Sequence, residues 1–113
     1  MSLKAKKVVQ PIEMCRDVYD VLEQIRLRPG MWIHQGSLGD LQNILIGYRT
    51  ALSVHGADEQ FALAPAGPFA EWLEARRGWS MSCGWADAIT RNADGEEPLT
   101  LFFRLLDEYR SGS

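Results

Sequence analysis

The sequence predicts an all-α protein that folds as a single compact domain of about five helices. Three observations support this fold class. Apolar residues recur at spacings of three and four along most of the chain, no stretch alternates apolar and polar residues for more than a few positions, and Pro or Gly separates the periodic segments. The chain has 113 residues, which is enough for one core that is stable without disulfides or a structural metal.

The amino-terminal segment differs in composition from the rest. Its first ten residues contain three lysines and no acid. We expect residues 1–11 to be a flexible tail and residues 12–110 to form the helical domain. A short strand or docking arm built on Val8 and Val9 is the alternative for the tail. Because this segment lacks the apolar region of a secretory signal, we expect a cytoplasmic location.

The first two helices are predicted over residues 14–27 and from residue 38 onward. Arg28-Pro29-Gly30 ends the first helix, whose apolar face is formed by Cys15, Val18, Leu22 and Ile25. Ser37 is placed to cap the second helix, and Gly56 to end it. The apolar stripe of the second helix consists of Leu38, Leu41, Leu45, Tyr48 and Leu52.

Three more helices are predicted after a connector that runs from Gly56 to Gly67. The third covers residues 68–77, with a Pro in its first turn and Gly78 at its end. The fourth covers residues 84–92, with Ser82 as its cap. The fifth begins at Pro98, and its apolar face consists of Leu99, Phe102, Phe103, Leu106 and Tyr109.

The charge distribution favours a protein partner over a nucleic acid or a membrane. Without the first ten residues, the chain has 9 basic and 15 acidic residues, a formal charge of −6. Phosphate binding needs clustered Lys and Arg, so duplex DNA or RNA is not the expected ligand. No apolar run approaches the ~20 residues that span a bilayer. A basic partner protein fits the sign of the charge.

Patterns typical of catalytic or metal sites are missing from the sequence. Cys15 and Cys83 are far apart and outside any Cys-x-x-Cys pair, so we interpret them as buried thiols, with a disulfide left open. His34 and His55 are the only imidazoles, and neither belongs to a recognisable catalytic motif. We therefore expect a non-enzymatic protein with no catalytic residue, no cofactor and no metal.

Residues 28–33 read Arg-Pro-Gly-Met-Trp-Ile, which is close to a signature of gyrase-type ATPase subunits. The helix that follows lacks the Glu and Asn pattern of those ATPases, and the chain has no Asp-Gly-x-Gly string. We therefore interpret the similarity as coincidental, and we expect Met31, Trp32 and Ile33 to enter the core. The alternative is that Trp32 and His34 are partly exposed and contact a partner.

Eight residues are candidates for contacts with a partner protein. Five are acids that are expected to be exposed on the first and last helices. The other three lie in loops, where Trp79 between Gly78 and Ser80 is expected to be partly exposed. The full set is Asp17, Asp20, Glu23, Trp32, His34, Trp79, Asp107 and Glu108.

Aromatic and glycine positions between residues 15 and 110 resemble a family of small bacterial proteins associated with immunity genes of polymorphic or contact-dependent toxins. The resemblance rests on the strings at residues 25–33, 84–89 and 101–109, on Gly47-Tyr48, and on Trp72 before a Gly-Trp loop. It implies a cytoplasmic, non-enzymatic protein that binds and neutralises a cognate toxin, expected to be a basic domain. The alternatives are a homo-oligomeric interaction or adaptor protein, with a homodimer as the simplest form, and a small-ligand-binding domain.

Overall fold

The structure, a computed structural model, describes residues 9–112, and within them it confirms the predicted all-α domain. Two short 3-10 turns, Ile12–Met14 and Pro29–Met31, flank the first helix. No strand is present in this part of the chain. The five helices are α1 (Val18–Leu27), α2 (Leu38–Val54), α3 (Pro68–Arg77), α4 (Gly84–Arg91) and α5 (Pro98–Arg110).

The predicted tail falls mostly outside the described residues, which begin at Val9. Of its last residues, Gln10 donates its backbone N–H to Gln24 Oε1 of α1 at 2.9 Å. Residues 1–8 are not described, so the alternative of a strand or arm at Val8 and Val9 stays a prediction. The end of the tail is nevertheless attached to the helical domain.

The predicted start of the first helix is wrong by four residues. α1 begins at Val18 because the side chain of Asp17 accepts hydrogen bonds from the backbone N–H groups of Tyr19 and Asp20, at 3.0 and 3.1 Å. Residues before Asp17 form the separate 3-10 turn. Cys15 therefore lies outside the helix and is half-buried.

The caps observed for the other helices agree with those predicted from the sequence, with one exception. Ser37 Oγ accepts from the Asp40 backbone N–H at 3.1 Å, as predicted. Gly78 ends α3 in the left-handed conformation, with φ of 70°. The exception is α4, where Cys83 and not Ser82 occupies the N-cap position, and no side chain of the cap makes the hydrogen bond.

The side-chain acceptor for a backbone N–H in the first turn of α4 comes from α2. Gln42 Oε1 accepts from the Ala86 backbone N–H at 3.3 Å, across 44 positions of sequence. At Gly84, where φ is +88°, a Cβ would lie 2.8 Å from the same Gln42 oxygen and 3.3 Å from Cβ of Pro65. A side chain at this positive φ is strained, and its Cβ would push the Gln42 amide away from the Ala86 N–H.

The core is organised around Phe69 of α3. Its ring contacts Trp72 of the same helix, with centroids 6.1 Å apart, and also reaches two neighbouring helices. The contacts on α4 and α5 are with Trp85, Phe102 and Tyr109, at centroid distances of 6.0, 5.9 and 5.4 Å. These edge-to-face contacts fix the relative placement of the last three helices.

The connector between α2 and α3 is attached to this aromatic cluster and to the first two helices. Trp85 Nε1 donates to the Leu63 carbonyl at 3.0 Å. Glu59 accepts from the Val18 backbone N–H at 3.0 Å and from the Tyr48 hydroxyl at 2.7 Å. Glu59 therefore holds the start of α1 against the middle of α2.

α1 and α5 run antiparallel along each other. Near the end of α1, the Arg26 guanidinium lies 5.0 Å from the centre of the Phe103 ring. Near its start, Tyr19 is covered by Arg110, the last residue of α5, at 3.8 Å. None of the helices within residues 9–112 combines the length and the apolar character of a membrane-spanning segment.

Substitution of Gly84 by Ala is expected to destabilise the fold more than the same change at Gly95. Both residues have φ of +88°, but a Cβ at Gly95 meets nothing within 4 Å. We expect Gly95→Ala to cost about 1 kcal/mol for the backbone conformation. Gly84→Ala should cost about 2–3 kcal/mol, because Gln42 must also move away from the Ala86 N–H and Cβ of Pro65 lies close. Urea unfolding measures both; equal losses would contradict the close packing.

The stability of the protein is expected to fall above pH 10. Burial, and then the hydrogen bond and charge of Glu59, raise the pKa of Tyr48 above its ordinary value, and burial raises the pKa of Tyr19. A raised tyrosine pKa means that the folded state retains protons that the unfolded state loses from about pH 10 upward. The free energy of unfolding therefore decreases as the pH rises through that range.

The variant Tyr48→Phe tests this assignment. It should be less stable than wild type near pH 8 by about 1–2 kcal/mol, because the hydrogen bond to Glu59 is lost. Its stability should also decrease less steeply than that of wild type between pH 10 and 11. Urea unfolding at pH 8, 9, 10 and 11 provides the comparison, and parallel curves for the two proteins would contradict the prediction.

Candidate partner-binding surface

Among the open grooves on the described part of the chain, three have volumes of about 610, 460 and 430 Å³. His34 and His55 are exposed, and neither lines any of the three. In residues 9–112 no group of three or more His, Cys, Asp and Glu side chains is arranged to hold a metal ion.

The groove of 460 Å³, between the start of α2 and α4, contains Cys83. This cysteine is exposed, so the prediction that it is buried is wrong. It is wrong because Cys83 lies at the N-cap of α4, on the solvent side of the turn. Cys15 and Cys83 are both free thiols, and the disulfide that the sequence left open is not formed.

The same groove does not pair its thiol with a catalytic base. The carboxylate of Asp87 accepts from Arg91 Nε at 2.6 Å, and no imidazole lines the groove. Nucleophilic catalysis by cysteine needs an adjacent base or another group that activates the thiol. The groove therefore offers an accessible thiol without the geometry of a catalytic pair.

Most of the acidic candidates on α1 and α5 are held by the protein's own groups. Asp17 caps α1, and Arg16 contacts Asp20 through its backbone N–H and its guanidinium, at 2.9 and 3.3 Å. The backbone hydrogen bond from Arg16, aided by its charge, lowers the pKa of Asp20. Glu108 is half-buried near the end of α5.

The structure brings Glu23 and Asp107 together through one arginine. Arg26 donates two hydrogen bonds to the Asp107 carboxylate, at 3.2 and 3.0 Å, and lies 3.7 Å from Glu23 Oε2. Arginine and aspartate are 81 positions apart in sequence. Because the two acids share one cation, the negative electrostatic potential at this face is weaker than the sequence alone suggests.

The aromatic and histidine candidates lie in two different loops. Trp32 and His34 belong to the loop between α1 and α2, where Trp32 is half-buried against the core and His34 is exposed. Met31 beside them is 72% exposed, so the prediction that it enters the core is wrong, whereas Ile33 is buried as predicted. The 3-10 turn at residues 29–31 directs the Met31 side chain to solvent. Trp79 lies in the loop after α3 and is half-buried.

The third groove, of 430 Å³, brings together acids that were not among the candidates. It lies between α3 and the loop that follows, and Glu71 and Glu74 line it. Both carboxylates are exposed, and within the described residues no cation lies within 4 Å of either. The remaining lining is small, hydroxylated or apolar: Ala66, Ala70, Ser80, Met81 and Ser82.

The arginines of α3 do not neutralise these two acids because they stack on tryptophans. The guanidinium of Arg76 lies 5.3 Å from the centre of the Trp72 ring, and that of Arg77 lies 5.3 Å from the centre of the Trp79 ring. The positions four residues after each Glu are Ala75 and Gly78, which carry no charge. The absence of a base at these two positions indicates, from the sequence alone, that neither carboxylate forms an ion pair with the residue four positions later.

The groove has the chemistry to hold a cationic side chain. A Lys or Arg stem can lie on Ala70 and Met81 while its charged end meets Glu71 and Glu74. Ser80 and Ser82 at the rim are hydrogen-bonded to each other, with their Oγ atoms 3.1 Å apart. Trp79, one of the predicted contact residues, belongs to the same loop.

Comparisons of the chain with known protein families, curated proteins and solved structures find no match.

Cys83 is expected to react readily with a thiol reagent in the folded protein. It is exposed, whereas Cys15 is half-buried and lies 3.8 Å from the Gln10 side-chain amide. One thiol per chain should label rapidly and the second more slowly, and Cys83→Ser should remove the rapid phase. Measurement uses absorbance with an aromatic disulfide reagent. A rapid phase that persists in Cys83→Ser and disappears in Cys15→Ser would contradict the assignment.

Proposed function

We propose that this chain is a cytoplasmic, non-enzymatic protein-binding module of the immunity type, which binds and neutralises a basic toxin domain. The observation that carries the proposal is the pair of exposed carboxylates, Glu71 and Glu74, which line a groove of about 430 Å³ and have no ion-pair partner among residues 9–112. The resemblance in residues 15–110 to immunity-type proteins adds the toxin as the class of partner.

Electrostatics supports a basic partner in two ways. The acidic excess of the chain outside its first ten residues, −6, accelerates the encounter with a cationic surface. At short range, Glu71 and Glu74 can form new ion pairs without breaking an existing one. The acids on α1 and α5 differ in this respect, because Asp20 and Asp107 would have to leave Arg16 and Arg26.

The geometry favours a protein partner over a small molecule. Small-ligand sites usually enclose most of the ligand surface, with an apolar lining and a few placed polar groups. The third groove, between α3 and the loop that follows (the α3 groove), is open and has carboxylates along its rim. Such a groove suits side chains that project from the surface of a partner protein. Trp79 beside it can add apolar contact area, since tryptophan is frequent at the centre of interfaces.

Charge reversal at the groove tests this proposal. The tagged chain is used at low salt to retain a basic domain from a lysate of the source organism, and the purified domain is then used for binding kinetics. Glu71→Lys/Glu74→Lys should slow association about tenfold or more at low salt, and the effect should shrink as salt is added. Co-expression of the wild-type chain should restore growth to cells that produce the domain.

The matched control is Asp58→Lys/Asp94→Lys. Both of these acids are exposed and outside the α3 groove, and the control changes the net charge by the same amount. It should slow association less than the groove variant. If both variants slow binding equally, the groove is not the site. If no basic domain is retained, or if growth is not restored, the immunity function is wrong.

A further inference from the structure

The arginines of the described chain differ in whether they have an acidic partner. Four form ion pairs with carboxylates of the chain itself: Arg16, Arg26, Arg91 and Arg104. Arg76 and Arg110 are exposed, and among residues 9–112 neither has a carboxylate within 4 Å. They lie in the last turns of α3 and α5, where the helix dipole favours a cation. The dipole explains the charge, but it leaves the N–H donors of both guanidinium groups available.

Both of these guanidinium groups lie on aromatic rings. Arg76 is 5.3 Å from the centre of the Trp72 ring, and Arg110 is 3.8 Å from the centre of the Tyr19 ring. Tyr109 connects the two stacks, because its ring lies 5.5 Å from that of Trp72 and it precedes Arg110 in α5. We name this set the arginine–aromatic face; its five residues come from α1, α3 and α5 and are Tyr19, Trp72, Arg76, Tyr109 and Arg110. The three rings are half-buried, so they fix the planes of the two exposed guanidinium groups.

Arg26 shows what a ring-stacked guanidinium binds in this protein. It lies 5.0 Å from the centre of the Phe103 ring and donates two hydrogen bonds to the Asp107 carboxylate, at 3.2 and 3.0 Å. The ring supports the guanidinium, and the carboxylate accepts from two of its N–H groups. Arg76 and Arg110 have the supporting ring, but among the described residues they lack the carboxylate. The group that would complete both arrangements is therefore a carboxylate.

The acids near Arg110 are engaged elsewhere. Asp20 accepts from the backbone N–H and the guanidinium of Arg16, at 2.9 and 3.3 Å. The side chain of Asp17 accepts from the first backbone N–H groups of α1. Neither acid forms an ion pair with Arg110. A carboxylate that binds Arg110 without breaking these contacts has to come from another molecule.

We propose that the arginine–aromatic face binds the carboxylate side chains of an acidic segment of a partner protein. Two neighbouring stacks with unpaired cations attract such a segment, although the chain outside its first ten residues has a charge of −6 and repels it elsewhere. Arginine, tryptophan and tyrosine are also the residue types that contribute most to binding at protein interfaces. The proposal is independent of the proposed toxin-binding groove, because the two surfaces share no residue.

Ring stacking favours an acidic protein segment over a single-stranded nucleic acid. Proteins bind single strands by stacking bases on the faces of aromatic rings. At Trp72 and Tyr19 one ring face is already covered by a guanidinium. What the arginine–aromatic face offers is the N–H edge of each guanidinium, whose fork matches a carboxylate.

Titration of the ¹⁵N-labelled full chain with a blocked hexaglutamate peptide at low salt tests the proposal. Because the contacts are exposed, we expect a dissociation constant on the order of 100 µM. The side-chain Nε–Hε signals of Arg76 and Arg110 should shift as the peptide binds. Those of Arg28 and Arg49 should not shift, since both of these arginines are exposed but lie on no ring of the described chain.

Two pairs of variants separate the arginine–aromatic face from a general effect of charge. Arg76→Gln/Arg110→Gln should weaken peptide binding about tenfold or more, because two charge-assisted contacts are lost. The matched control, Arg28→Gln/Arg49→Gln, removes the same charge and retains the lysines of the first ten residues. It should bind within about twofold of wild type, since exposed charges away from the contact act weakly.

A charge-conserving variant tests the fork of the guanidinium. Arg76→Lys/Arg110→Lys keeps the net charge but cannot bind a carboxylate with two N–H groups of one plane, so its binding should also weaken. Circular dichroism checks that each variant is folded. Four results would overturn the proposal: no binding of hexaglutamate by wild type, equal weakening in the two Gln variants, unchanged binding in the Lys variant, or tighter binding of oligothymidylate than of hexaglutamate at the arginine–aromatic face.

Discussion

The fold depends on the burial of the Phe69 ring among the aromatic side chains of α3, α4 and α5. These contacts also place the connector, because Phe69 donates its backbone N–H to the Ala62 carbonyl and Trp85 donates its indole N–H to the Leu63 carbonyl. The connector in turn carries Glu59 to the start of α1 and to Tyr48 of α2. The aromatic cluster is thus linked to the first two helices through the hydrogen bonds of the connector.

This chain of dependence explains which parts of the fold the sequence could predict. α2, α3 and α5 are defined by local patterns, namely apolar spacing, a Ser or Pro at the start and a Gly at or after the end, and they were predicted well. The starts of α1 and α4 depend partly on acceptors that arrive from elsewhere: Glu59, 41 positions from Val18, and Gln42, 44 positions from Ala86. The spacing of apolar residues along a helix gives no information about hydrogen-bond acceptors that come from distant positions in the sequence. The predictions that Met31 and Cys83 are buried were also wrong. Outside helices, the residue type alone does not show whether a side chain points to the core or to solvent.

The same limit applies to the acidic candidates. Sequence identifies acids on exposed faces, but it does not show that Arg26 will bind Asp107, 81 positions away. Glu71 and Glu74 were not among the candidates, and Arg76 and Arg77, which follow them closely in sequence, could compensate their charge. The compensation fails because both guanidinium groups stack on tryptophan rings. The free carboxylates are thus a consequence of aromatic packing around α3, and the absence of a base four residues after each Glu was the only local sign of it.

The groove carboxylates and the acids of α1 and α5 differ in how salt affects a contact with a cationic partner. Attraction between Glu71, Glu74 and a cationic side chain weakens as salt screens it, and within the described residues neither acid has to leave an ion pair first. Asp20 and Asp107 are bound by Arg16 and Arg26, so salt also weakens the internal ion pairs that compete with a partner. The salt dependence of association should therefore be steepest for a contact made at the groove.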